Sequence, residues 1–333
     1  METRTLEFET PQFLHSLFAH DEALLREMEA EQQIKLTTRD GWMRIEGEPA
    51  AVAGAESTFS ALERARRSGG EITPHAFRIA VESGKPPSGD ARAPERATDV
   101  AELLSRKLLG SAKRPPVVPK TLGQLAYLKA MDANPVVFGV GPAGTGKTYL
   151  AMARALAALK AREVNRVILA RPAVEAGEAL GFLPGDLQEK IAPYLRPLYD
   201  AIYDMLEPAE VERYIEANMI EIAPLAYMRG RTLNRAFVIL DEAQNTTEEQ
   251  MLMFLTRLGE GARCVITGDP SQIDLRPRSR SGLREAMDIL RETEGVAFAE
   301  FDRSDVVRHP VVQRIIEAYE KARSRRGGGW EEG

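Results

Sequence analysis

The stretch Gly141-Pro142-Ala143-Gly144-Thr145-Gly146-Lys147-Thr148 constrains this chain more than any other part of it. A short β-branched run, VVFGV, precedes it, and an amphipathic run, YLAMARALAALK, follows. The pattern G-x-x-x-x-G-K-[ST] between a strand and a helix is a phosphate cradle. Its glycines let backbone N–H groups wrap the phosphates, and the helix N-terminus adds partial positive charge. Lys147 is placed to reach the β and γ phosphates, and the Thr148 hydroxyl to ligate Mg²⁺. A turn of this kind demands an α/β frame. Short apolar runs recur at Val136–Val140, Val167–Ala170, Ile220–Ala223, Phe237–Leu240, Cys264–Thr267 and Val296–Phe301. They read as strands of a parallel sheet buried on both faces. Helical spacing at Lys147–Ala161, Leu187–Leu206, Thr247–Leu258, Ser281–Glu292 and Val311–Arg325 supplies the cover, and right-handed crossovers make the sheet doubly wound.

Two further strands end in polar groups. Phe237–Leu240 runs into Asp241 and Glu242. Asp241 is expected at the Mg²⁺ beside the phosphates, and Glu242 where it can orient or deprotonate an attacking water. Val265-Ile266-Thr267 runs into Gly268-Asp269-Pro270-Ser271-Gln272. In a parallel sheet it opens on the same crevice, where Gln272 can sense the γ-phosphate or the water; the alternative is a Gly-Asp-Pro turn with Gln272 facing solvent. Gln124 stands upstream, in Thr121-Leu122-Gly123-Gln124. Its amide can both donate to and accept from adenine, unless it is a surface helix glutamine. No Asn-Lys-x-Asp sequence occurs, which favours ATP over GTP.

The N-terminal third reads differently. Thr5–Glu9 alternates like a strand. Pro11–Ala19 and Asp21–Gln33 carry helical spacing, and Ile34–Thr38 and Trp42–Glu46 alternate about an Arg39-Asp40-Gly41 turn. Pro49–Arg67 and Pro74–Glu82 are helical, the latter after a Thr73 cap. This order, β-α-α-β-β-α over residues 1–83, resembles a type I KH domain. Such a domain clamps nucleotide backbone with a GxxG loop between its first two helices. Here that place holds His20-Asp21-Glu22-Ala23, whose acids repel phosphate. Residues 84–120 form a proline-rich linker, with prolines at 86, 87, 94, 115, 116 and 119, and one short helix expected at Asp99–Leu109. Residues 121–323 are the α/β domain, and 324–333 a disordered tail.

Gln124, GPAGTGKT, LDEAQN (240–245) and TGDPSQID (267–274) together resemble the RecA-like core of superfamily 1 helicases. The wider string resembles the PhoH-like ATPases, their YbeZ branch in particular. The signatures are PKTLGQLAYL (119–128), RPAVEAGEALGFLPGDLQEKIAPYLRPLYDA (171–201), LAYMRGRTL (225–233), ILDEAQNTT (239–247) and DVVRHPVV (305–312). The resemblance implies an ATP- and Mg²⁺-dependent enzyme acting on single-stranded RNA, in RNA processing or ribosome maturation. It also implies possible helicase activity and a YbeY-type endoribonuclease as partner. A nucleotide-driven assembly switch, or scaffold for that endoribonuclease without translocation, is the competing expectation.

After Asp274 only about 60 residues remain, short of a second lobe of ordinary domain size. The open face of the nucleotide is then left exposed or closed by another subunit, in a head-to-tail homo-oligomer expected to be a hexameric ring. Phosphoryl transfer commonly uses an arginine in cis or trans. Arg308 is the candidate, unless it pairs with Asp305. Arg171 is a second candidate, or a nucleic-acid contact. Tyr227, Arg229 and Arg231 combine an aromatic with two cations, suited to base stacking and phosphate contact with single-stranded RNA; an ordinary solvated loop is the alternative.

Composition limits the rest. With 44% hydrophobic and 28% charged residues and a net charge of −6, the chain is too apolar and balanced to be wholly disordered. No apolar run is long enough to span a membrane. Met1–Thr10 carries acids and no apolar h-region, and Cys264 is the only cysteine, so a cytoplasmic protein with no internal disulfide is expected.

Overall fold

The computed structural model describes residues 1–84, 93–110, 114–172, 187–275, 279–307, 311–312, 314–315 and 318–319. The chain opens with β1 (Glu2–Glu7), α1 (Pro11–Leu17), α2 (Glu22–Gln32), β2 (Lys35–Arg39), β3 (Trp42–Gly47), α3 (Pro49–Arg67) and α4 (Pro74–Ser83). The three strands form an antiparallel sheet in the order β1-β3-β2. Asp40 (φ 43°) and Gly41 (φ 89°) make the β2–β3 turn with two left-handed residues, which matches the twist of a hairpin. β1 starts and stops earlier than the alternation predicts. Its register against β3 runs from Glu2 opposite Gly47 to Glu7 opposite Trp42. The chain must then turn, because the Thr10 hydroxyl caps α1 by accepting from the Phe13 N–H and Pro11 starts the helix. The helices cover one face of this sheet, around Met43, Ile45, Phe59, Leu62 and Phe77.

The linker helix, α5 (Ala93–Ser105), lies earlier than expected. It stops because Leu108 and Leu109 pair through their backbones with Val117. Val100 enters the N-terminal core, whereas Leu109 and Val117 enter the core that follows.

The remaining elements are α6 (Leu122–Ala133), β4 (Val136–Val140), α7 (Lys147–Lys160), β5 (Arg166–Arg171), α8 (Leu187–Met205), α9 (Pro208–Glu216), β6 (Ile220–Pro224), β7 (Ala236–Leu240), α10 (Glu248–Leu255), β8 (Arg263–Gly268), α11 (Gly282–Ile289) and β9 (Val296–Glu300). Six strands make one parallel sheet in the order β6-β5-β7-β8-β4-β9. All six lie where the apolar runs predict them. Helices α6 and α9 are additions. Successive side chains go to opposite faces: Val137, Ile239 and Val265 join the core under α6 to α9, and Phe138, Val238 and Ile266 the core under α10 and α11. The expected helix Val311–Arg325 lies mostly outside the described residues. Among the described residues no helix is long and apolar enough to cross a membrane.

Candidate active site

Three strands deliver chemistry to one rim of the sheet. β4 ends in the glycine loop, β7 in Asp241-Glu242, and β8 in Gly268-Asp269. The pairing puts β8 between the other two. Thr267, the penultimate residue of β8, therefore comes within reach of both.

The result is a hydroxyl–carboxylate cluster. Thr148 Oγ1 donates to Asp241 Oδ1 at 2.6 Å, and Thr267 Oγ1 donates to the same oxygen at 2.9 Å. The Thr148 and Thr267 hydroxyl oxygens lie 3.2 Å apart. Asp241 is buried, only 7% exposed. Its second oxygen faces Arg171 Nη1 at 3.6 Å, while Nη2 of the same guanidinium lies 3.6 Å from Glu242 Oε1. Glu242 Oε2 accepts from Gln244 Nε2 at 2.5 Å. Glu242 sits in the left-handed region at φ 53°, an unusual conformation for a side-chain-bearing residue that aims its carboxylate off the strand end.

The glycine loop closes the other side. Gly141 has φ 143°, and a Cβ there would meet the Phe301 carbonyl oxygen at 2.4 Å, so only glycine fits. Lys147 is folded back on its own loop, donating to the carbonyls of Gly141 and Pro142, each at 2.7 Å. Burial lowers its ammonium below the ordinary value, and facing Asp269, Glu242 and Asp241 restore part of that. Burial would raise the Asp269 carboxyl. Donation from Ser271, through its hydroxyl and N–H, and from Gln272, with the charge of Lys147, outweighs this and holds it low. Gln272 Nε2 lies 2.7 Å from Asp269 Oδ2. A cavity of about 290 Å³ opens between these parts, lined by Gly144, Lys147, Thr148, Asp241, Glu242 and Gln272 among others.

Mg²⁺ takes oxygen ligands and keeps several waters, using one or two carboxylates together with substrate phosphates. The half-buried Thr148 hydroxyl, bonded to the buried Asp241 carboxylate at the mouth of a phosphate loop, fits that demand. Among the described residues there is no cluster of three or more His, Cys, Asp or Glu that could hold a metal.

Gln124 is 4% exposed, and its amide is engaged within the chain. Its Oε1 accepts from the Lys120 N–H at 2.7 Å, and its Nε2 donates to the carbonyl of Thr145 at 3.0 Å. It is a strut beneath the loop rather than a surface glutamine, with both ends of its amide bonded to the chain's own backbone. The DVVRHP segment reaches the same place: the Val307 N–H donates to the Gly144 carbonyl at 3.0 Å, and Asp305 Oδ1 accepts from Thr121 Oγ1 at 2.6 Å. Arg308 lies outside the described residues. Arg171 stands beside the acids, 3.6 Å from both Asp241 and Glu242. In the loop after β6, Tyr227 and Arg229 are exposed, but Arg231 forms a two-pronged ion pair with Glu221 at 2.6 and 2.7 Å.

Gln244 carries no signal by itself in the sequence, yet it joins two motifs. Besides holding Glu242, it accepts from the Asp269 N–H at 3.1 Å, and its carbonyl accepts from Ser281 Oγ at 2.8 Å. Its only prior mark is its place in LDEAQN.

Comparison with known proteins agrees with this core. The family model described as "PhoH-like protein" matches residues 116–320. A PhoH-like protein of Mycobacterium tuberculosis (strain H37Rv) is 51% identical over 309 residues, covering 93% of this chain and 85% of that one. A PhoH-like protein of Bacillus subtilis is 47% identical over 92% of this chain and 93% of its own length. Protein PhoH of Escherichia coli K12 is 42% identical over 68% of this chain and 66% of its own. With its glycine loop, paired acids and parallel sheet, the chain belongs to the PhoH-like family and carries a P-loop NTPase core.

Proposed function

We propose that this chain hydrolyses ATP with Mg²⁺ and couples hydrolysis to RNA binding or remodelling, as a YbeZ-branch member of the family with a superfamily 1 type of core. The observation that carries the hydrolytic part is the Thr148–Asp241 hydrogen bond at the mouth of the loop, with Glu242 next along the chain.

In this reading the loop N–H groups and Lys147 hold the β and γ phosphates. Lys147 then leaves the carbonyls of Gly141 and Pro142, exchanging them for phosphate oxygens. Thr148 and Asp241 are the residues that would hold Mg²⁺, which would supply neutralisation of the charge developing on the phosphates. Glu242, held by Gln244, takes a proton from water as the water oxygen bonds the γ phosphorus and the bond to the bridging oxygen breaks. Gln272, which lines the same cavity, is the residue that senses the γ-phosphate or the attacking water in this reading. Gln124 sets the shape of the loop. Arg308 is the candidate finger from a neighbouring copy in a head-to-tail hexameric ring, and the exposed Tyr227 and Arg229 are candidate RNA contacts.

The RNA substrate, the KH-like character of residues 1–83 and a YbeY-type endoribonuclease partner rest on family resemblance. The test is the ATPase rate against a panel of RNAs and single-stranded DNA at one fixed salt, because phosphate contacts make binding steeply salt-dependent. Single-stranded RNA is expected to raise the rate several-fold. A rate flat across the panel removes the coupling and leaves an ATP-driven assembly switch.

A further inference from the structure

The face of the N-terminal sheet that the helices leave open carries an unusual set of side chains. Cross-strand partners share a face, so the register places Thr3, Thr5 and Glu7 of β1 beside Glu46, Arg44 and Trp42 of β3, and these beside Lys35, Thr37 and Arg39 of β2. All are exposed except Trp42 and Glu46, which are half-buried. The Arg44 guanidinium lies over the Trp42 ring, 5.3 Å from its centroid.

Three cations stand on this face: Lys35, Arg39 and Arg44. Among the described residues none of them has a carboxylate partner, although Glu7 and Glu46 stand on the same face. Elsewhere on the surface arginines do find acids: Arg67 holds Glu9 and Glu63, and Arg78 holds Glu27. The open face thus offers three cations without ion-pair partners against two acids, a flat ring already stacked with a guanidinium, and threonine hydroxyls, on one sheet.

That combination suits one ligand class. Cations meet backbone phosphates, an aromatic ring stacks on a base, and the hydroxyls serve sugar or phosphate oxygens. Duplex bases are already stacked and leave no face for Trp42. An apolar peptide would find no groove. We infer that the open face of the β1-β3-β2 sheet, centred on Trp42 and Arg44, binds single-stranded nucleic acid. This is a different surface from the turn between α1 and α2, where Asp21 and Glu22 stand. The inference supplies the RNA contact of the proposed function without depending on its ATPase part.

The test uses the full chain and a fluorescein-labelled 12-nucleotide oligouridine, followed by anisotropy across a salt series. The double variant R39E/R44E is expected to bind about tenfold more weakly or worse. Its salt slope should flatten by about 1.4, as two lost phosphate contacts require for a single strand. Trp42→Leu should weaken binding about five- to tenfold, while Trp42→Phe keeps it within about twofold. Trp330 is the only other tryptophan, so a Trp330→Phe background makes Trp42 the sole indole, and oligouridine should quench its emission. Melting temperatures and the ATPase rate without RNA should stay unchanged in R39E/R44E. Wild-type binding undiminished in R39E/R44E, or no quenching, overturns this site and leaves the proposed activity standing. No binding by the wild type overturns both the site and the RNA reading. Equal loss of duplex binding, or loss only on anionic phosphatidylserine vesicles, also overturns it, by naming a general polyanion or membrane contact instead.

Discussion

Thr148 donates its hydroxyl to Asp241 across 93 positions of sequence, at 2.6 Å, and Thr267 donates to the same carboxylate oxygen. A loop, a strand end and a neighbouring strand thus converge on one atom. Thr148→Val keeps the shape and deletes one donor and, in the proposed function, one metal ligand. It is expected to lower Mg²⁺-dependent ATP hydrolysis by at least about 100-fold, with the circular dichroism spectrum unchanged. A drop smaller than tenfold would remove Thr148 from the metal site.

Glu242 has one oxygen near Arg171 and the other on Gln244. Glu242→Gln should reduce turnover by about 100- to 1,000-fold and leave ATP affinity within about threefold, because the amide cannot take the water's proton. Single-turnover kinetics separate the two quantities. Normal turnover would mean that another group is the base.

Gln124 connects Lys120 to the glycine loop with both atoms of its amide. Gln124→Ala leaves a buried carbonyl and a backbone N–H without partners. We expect a loss of about 1–3 kcal/mol in denaturant unfolding. The KM for ATP should rise more than kcat falls, since the loop is loosened rather than the chemistry removed. A variant as stable as the wild type, with unchanged KM, would contradict the strut.

Tyr127 is the reverse case. It is fully buried against Gly139 and edge-on to Phe301, and among the described residues its hydroxyl has no hydrogen-bond partner. Removing an unpaired buried hydroxyl relieves a desolvation cost. Tyr127→Phe should therefore be neutral or more stable by up to about 1–2 kcal/mol, read as an unchanged or raised Tm. A clear loss would show that the hydroxyl is satisfied by a bound water.

Asp132 on α6 accepts from Arg154 on the loop-bearing helix α7 at 2.8 Å and from Arg106 beyond α5. Burial alone would raise its carboxyl, but the two guanidinium bonds and charges hold it below the ordinary 3.8. The unfolded chain then takes up this proton first, so the contribution is present above the unfolded value and lost as pH falls through the folded one. Asp132→Asn should cost about 1–2 kcal/mol at pH 7, discounted because the side chain is 39% exposed. Its stability should fall less than the wild type's below pH 4 in urea titrations. Parallel acid limbs for the two proteins would exclude the linkage.

The six parallel strands, the glycine loop and the acids after β7 are legible in the sequence because each is local. A buried strand announces itself by a continuous apolar run, and a phosphate loop by the glycines that its own backbone needs. Tertiary structure alone decided the rest. Strand order is a matter of long-range pairing, so only the fold shows that β8 lies between β4 and β7 and brings Thr267 to Asp241. The same holds for Arg171, drawn to the acids because β5 pairs with β7, and for Arg231, drawn into an ion pair by Glu221 on the preceding strand. Gln124 looked free because sequence does not reveal burial. Once α6 packs beneath the loop, both ends of its amide must be satisfied where they lie, and the nearest partners are Lys120 and Thr145. Local pattern fixed which residues carry the chemistry; non-local packing fixed which of them meet.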